Sequence, residues 1–184
     1  MADIKERLDL LKQTIQEDDF LQGKGLSNEV NIRMFCYNPK DEMVVRDFTE
    51  RLKSQQLKCK VQIVDLFGVF LSICEDMDIL DGIPDMEQED GIEFLEEQLT
   101  NNIDAKEFSE KISSEFPNDK DLLMITGVGK VFPFMRAHAI LSALQNDLND
   151  KPIVVLYPGS FDGHYVKLFN QLKQNEYYRA FNTI

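Results

Sequence analysis

The chain has 184 residues, 43% of them hydrophobic, and 33 acidic against 20 basic side chains give a net charge of −13. That length supports one well-buried domain, residues 1–184, and is short for two. The charge argues against a protein whose whole surface grips a phosphate backbone, although it leaves room for a local basic patch.

The imbalance is local, since residues 1–60 are neutral, 61–121 carry −15 and 122–184 carry +2. Cys36, Cys59 and Cys74 form no C-x-x-C pair and no even set, so a disulfide framework is not expected and a reducing compartment fits. The opening MADIKERLDLLKQ is amphipathic without an apolar h-region, and nowhere do 18 apolar residues run together. The expectation is a cytoplasmic protein with no signal peptide and no membrane contact.

Ile4, Leu8, Leu11 and Ile15 recur at helical spacing and predict a first helix over about 3–17. FLQGKGLSNE follows as a loop. Val30 to Tyr37 reads as a buried strand stopped by Asn38-Pro39, and Asp41 to Ser54 as a helix. Lys60 to Asp65 is a second strand, and Leu66 to Leu80 is too long and apolar for anything but a buried helix, broken by Asp81-Gly82-Ile83-Pro84. Gly91 to Thr100 and Ala105 to Glu115 read as helices with few core-filling residues. The acidic section, about 75–116, is therefore expected as an elaboration at one edge. Asp121 to Thr126 predicts a strand, and Val131 to Leu148 a helix with Pro133 in its first turn. Ile153 to Tyr157 predicts a strand ended by Pro158-Gly159, Tyr165 to Leu172 a helix, and Arg179 to Ile184 a short last strand. Strands alternating with long crossovers imply an α/β fold: a three-layer domain with a mostly parallel sheet of about five strands flanked by helices.

Several stretches invite a chemical reading. Gly127-Val128-Gly129-Lys130 lies between a strand and a helix, where phosphate-binding turns sit. It lacks the third glycine of a dinucleotide fingerprint, at Phe132, and both the first glycine and the Ser/Thr of a Walker A loop, at Met124 and Val131. Gly23-Lys24-Gly25 follows a helix and reads as a flexible turn. Ser160, Asp162 and His164 cluster after a strand, but no G-x-S-x-G places the serine on an elbow, and Asp162 reads as a helix N-cap. His138, near Arg136, has no metal-ligand spacing to His164. Eleven acidic and no basic residues stand from Glu75 to Glu97, where DMDILDGIPDME misses the calcium-loop pattern at Leu80 and Asp81. They read as a solvated face or a dock for a basic partner. Tyr177, Tyr178, Arg179 and Phe181 form an aromatic ending suited to an edge strand or an interface.

Read together, GKGLSNEV (23–30), FCYNPKDEMVVR (35–46), LLMITGVGKVFPFMRAH (122–138), VVLYPGSFDG (154–163), LFNQLK (168–173) and YYRAF (177–181) resemble the signature segments of the BrxB family. That family is a small core component of bacterial BREX phage-defence systems. The resemblance implies a role in a system that methylates host DNA and blocks replication of unmarked phage. It also implies company: a large ATPase, a DNA adenine methyltransferase and a PglZ-type protein. It carries no catalytic activity and no cofactor. Ser160, His164 and Asn170-Gln171 depart from the family pattern, whereas Arg136-Ala137-His138, Pro158-Gly159 and YYRAF match it.

The leading expectation is a non-enzymatic adaptor whose functional surface includes Arg136, His138, Pro158, Gly159 and Asp162. A degenerate nucleotide- or phosphate-binding domain built on Gly127, Gly129 and Lys130 is the alternative. Weak DNA contact through the C-terminal third ranks last, and homodimerisation through the aromatic end is compatible with all three.

Overall fold

The computed structural model describes residues 3–24, 31–148, 150–162 and 165–172, with the backbone of 175–176. In chain order the elements are α1 (Ile4–Thr14), α2 (Asp18–Leu21), β1 (Ile32–Tyr37), α3 (Glu42–Ser54), β2 (Val61–Asp65), α4 (Leu66–Asp76), α5 (Ile83–Asp90), α6 (Ile92–Asn102), α7 (Ala105–Glu115), β3 (Leu122–Thr126), α8 (Val128–Val131), α9 (Ala137–Asp147), β4 (Ile153–Phe161), β5 (Tyr165–Leu168) and β6 (Asn175–Glu176).

Period-2 alternation splits every central strand between two apolar layers. On β1, Ile32, Met34 and Cys36 face one layer, with Leu123 and Ile125 of β3 and Ile153, Val155 and Tyr157 of β4. Phe35 and Tyr37 face the other, with Leu122, Met124, Val154 and Leu156. Both sides of the sheet must therefore be covered. Helices α1 and α3 cover the second through Leu8, Leu11, Val45, Phe48 and Leu52. Helices α4, α6, α7 and α9 cover the first.

The parallel strands lie in the order β2, β3, β4, β1. Strand β4 then outruns its parallel neighbours, and Gly159, Ser160 and Phe161 pair antiparallel with Leu168, Lys167 and Val166 of β5, which pairs with β6. The architecture is thus a three-layer α/β fold with a mostly parallel sheet.

Several expectations change. The acidic section is no edge elaboration. Leu95, Leu99, Ile103, Phe108 and Ile112 all enter the main core, and Phe70 of α4 stacks between Phe108 and Phe134, with centroids 6.4 and 4.9 Å away. A count of acidic residues hides this, because an amphipathic helix needs only one apolar stripe. Its preceding loop contains α5, which starts at Ile83-Pro84, where proline suits a first helical turn. α4 ends at Asp76, and the short α2 runs into the start of the expected first loop, at Phe20 and Leu21.

The helix expected from Val131 instead breaks after α8. Pro133 follows a cis peptide in the connection, and α9 begins at Ala137. Pro158-Gly159 does not end β4, because the last hydrogen-bonding edge there belongs to an antiparallel hairpin. Residues 165–168 form a strand and not a helix, and Asp162 is not a helix N-cap. Its carboxylate accepts from the Tyr165 N–H at 2.7 Å, and its own N–H donates to the Tyr165 carbonyl at 3.2 Å, which closes the hairpin turn. The strand expected over 179–184 lies outside the described residues.

If the acidic section is core, Phe108→Ala will cost about 3–5 kcal/mol, read from the urea unfolding midpoint. A peripheral attachment would lose under about 1 kcal/mol.

Candidate functional site

Open α/β sheets place ligands beyond the carboxyl ends of their strands. Here that edge collects Asp65 from β2, Thr126 from β3, Gly127 to Lys130 from the following turn and α8, and Pro158 and Gly159 from β4.

Asp65 organises the edge. Its Oδ1 accepts from the backbone N–H groups of Phe67 (2.9 Å) and Gly68 (3.2 Å), capping α4, while Lys130 Nζ bonds its Oδ2. Burial pushes its pKa up, but the Lys130 hydrogen bond and charge and the two N–H donors outweigh that, and the carboxyl titrates below the ordinary aspartate range.

Gly127 has φ +77°, and a Cβ there would stand 2.5 Å from Asp65 Oδ1. The candidate phosphate-binding turn thus has a carboxylate of the protein itself packed against it, which opposes a second anion. Its lysine is engaged by the same carboxylate. Beside it, the Phe169 ring lies where a Gly129 Cβ would come within 2.7 Å. Gly159 meets β5 so closely that a Cβ would run into the Lys167 carbonyl.

The other expected residues fall into separate groups. Arg136 precedes α9, its guanidinium 5.8 Å from the Phe132 ring centroid. His138 lies in the first turn of α9, where burial first and the Arg136 charge second push its pKa down, favouring neutral imidazole. Arg136 also acts on Tyr157, whose phenol is driven up mainly by burial. Pro158 and Gly159 are buried, whereas Ser160 and Asp162 are exposed at the hairpin. Gly25, His164, Tyr177, Tyr178, Arg179 and Phe181 lie outside the described residues.

Sequence reasoning missed Asp65 as an organising residue. The signal was present: an aspartate directly between a strand and an apolar helix is an N-cap candidate. It also missed a cleft of about 380 Å³ lined by Arg46, Thr49, Glu50, Lys53, Ile63, Asp65, Thr126 and Lys130. Its cations are already paired. Arg46 meets Glu42 at 3.0 Å, Lys53 meets Glu50 at 2.7 Å, and Lys130 meets Asp65. Only long-range folding places α3 over β2 and β3, so no local motif announces that cleft.

Burial raises all three thiols, Cys36 to about 12 despite the nearby Arg7 charge. They stay protonated near neutral pH and are poor nucleophiles. Among the described residues no group of three or more His, Cys, Asp or Glu side chains could hold a metal ion. No helix there is long and apolar enough to cross a membrane.

Fold and edge together define a three-layer α/β protein whose strand ends are closed by internal contacts. Comparison with known proteins places that class more narrowly. The family described as "BREX protein BrxB" matches residues 62–183. A BREX protein BrxB from Bacillus cereus (strain H3081.97) is 37% identical over 196 aligned residues, spanning 100% of this chain and 99% of the relative. One from Escherichia coli O9:H4 (strain HS) is 26% identical over 183, spanning 98% and 92%. The chain belongs to the BrxB family of BREX systems. No solved structure matches.

Asp65→Ala will lose about 1–2 kcal/mol at neutral pH, the scale of a helix cap. Because the folded carboxyl titrates below its unfolded value, this contribution exists above the ordinary aspartate range and disappears as pH falls through the folded pKa. Wild-type and variant unfolding midpoints will converge in acid; a gap that widens would refute the assignment. Separately, a chromogenic disulfide reagent near neutral pH will find the thiols silent in the folded protein and all three reactive after unfolding.

Proposed function

We propose that this chain is a non-enzymatic assembly component of its BREX system, bridging larger members such as the PglZ-type protein and the ATPase. The family supports a BREX role. The observation that carries the non-catalytic part is the edge of the sheet. Asp65, Lys130 and Phe169 occupy it with structural contacts, at the place where an α/β enzyme would hold its substrate. The cysteines are buried with raised pKa values, and the ions in the neighbouring cleft neutralise one another. On this reading contact with DNA is indirect, through the methyltransferase and other components.

A second reading keeps a regulatory nucleotide or other phosphate in the cleft between α3 and the β2–β3 ends. It is favoured by the three cations there, Arg46, Lys53 and Lys130. Each would have to leave its carboxylate, so binding would be weak.

Co-expression with the neighbouring BREX proteins will give a complex that survives size-exclusion chromatography and contains the PglZ-type protein or the ATPase. Titration calorimetry with ATP and GTP will show no heat at millimolar ligand. A chain that remains alone while still being required for phage resistance would overturn the assembly role. Saturable nucleotide heat abolished by Lys53→Ala would favour the second reading.

A further inference from the structure

The acidic section uses one side of its helices to build the core, and its other side is unusual in two independent respects. The first is charge. Of the eleven carboxylates from Glu75 to Glu97, only Asp76 has a cationic partner among the described residues, Lys111 at 2.6 Å. The second is exposed apolar surface. The stripe of α6 runs through Ile92, Leu95, Leu99 and Ile103 at helical spacing. Its inner members are buried, but Ile92, one turn nearer the N-terminus, is 64% exposed, while Phe94, two residues on and turned to another side of the helix, is 42% exposed.

The neighbouring segment repeats the pattern. Ile79, Leu80, Ile83 and Met86 touch the core yet are only half-buried, Met77 is exposed, and α5, which packs on α6, has no fully buried residue. An apolar seam thus starts in the core and emerges among carboxylates.

The charge selects the occupant. A second copy of this chain docking face to face would oppose carboxylate with carboxylate, since a two-fold interface uses the same patch twice. Nucleic acid and anionic lipid are repelled for the same reason. What satisfies both the seam and its rim is a protein segment with an apolar stripe flanked by lysine or arginine.

We infer that the α5–α6 face is a docking surface for a basic, amphipathic segment of a partner protein. The inference rests on the assembly role proposed above and assigns it a surface. Ile92, the exposed end of the core stripe, supplies the apolar anchor, and Asp85, Glu87, Glu89 and Asp90 supply the rim that orients and accelerates encounter.

The test uses the full chain with the larger BREX components co-expressed, and measures the dissociation constant of whichever binary complex forms. Three forms are compared: wild type, the isosteric rim variant Asp85→Asn/Glu87→Gln/Glu89→Gln/Asp90→Asn, and the anchor variant Ile92→Ser. All five positions are exposed, so unfolding midpoints will stay close to wild type, and each is checked. The rim variant will lose about tenfold or more in affinity and most of the salt dependence, and the anchor variant about tenfold or more with salt dependence retained.

Leu10→Ser/Met43→Ser, which removes the exposed apolar side chains of α1 and α3, will bind as wild type. If wild type forms a complex that both α5–α6 variants form equally well, the docking surface is refuted and the assembly role stands. If wild type forms no complex with any component, the assembly role fails and the inference falls with it.

Discussion

The carboxylate of Asp65 joins more of this fold than any other polar group described. It ends β2, caps α4, lies against the left-handed turn at Gly127 and binds the lysine of α8. Two parallel strands and the elements that follow each of them are thereby fixed to one charge. Parallel strands leave their carboxyl ends close together in register, here Asp65 opposite Thr126, so a single side chain can reach both crossovers. The arrangement needs a residue without Cβ at 127 and a cation at 130. A sequence resembling a phosphate-binding turn is the result, with the anion built into the chain.

The same constraint extends to β4. Because the parallel pairing of β4 with β3 reaches only to Val155, its continuation past Pro158 is free to pair with β5. The hairpin comes back over the edge and sets Phe169 against Gly129. Pro158 cannot donate to a sheet ladder, yet its carbonyl still accepts from the Phe169 N–H at 2.8 Å, so the strand passes through the proline with its acceptor in use. Closure by β5 and charge neutralisation by Asp65 and Lys130 are two parts of one outcome, a strand edge filled from within.

Which parts of this could be read along the chain follows from the range of the interactions. The central strands were readable because a strand buried on both faces is a near-continuous apolar run, as in LLMIT and IVVLY. α3 and α7 were legible as helices, but the apolar stripe of α7 was not, nor the reciprocal cap that Asp104 and Glu107 form at its start. Tyr165 to Leu168 was misread as helix because four residues with alternating burial carry little periodicity. What makes them a strand is the open edge of β4, which the local sequence does not contain. Pro133 was misplaced because proline suits a first helical turn in general, whereas here it lies between α8 and α9 and the long helix starts only at Ala137. At the candidate edge, the glycines were visible as a turn, but the carboxylate that fills it comes from 62 residues earlier in the chain.

The charge of the molecule then takes on a different meaning. On α5 and α6, like charges stand one turn apart, as in Asp85 and Glu89 or Glu93 and Glu97, and each such pair costs an isolated helix roughly 0.2–0.5 kcal/mol. No basic residue in the last turn of either helix relieves this. Burial of Leu95, Leu99 and Ile103 on the opposite side offsets it, since one fully buried leucine or isoleucine contributes about 1.5–3 kcal/mol. Stability alone would favour replacing some of those carboxylates with lysine at no cost to the core. On α6 the carboxylates Glu93 and Glu97 lie opposite the stripe of Leu95 and Leu99, which separates two demands on one helix: the inward stripe holds the fold together, and the outward face is shaped by something other than folding.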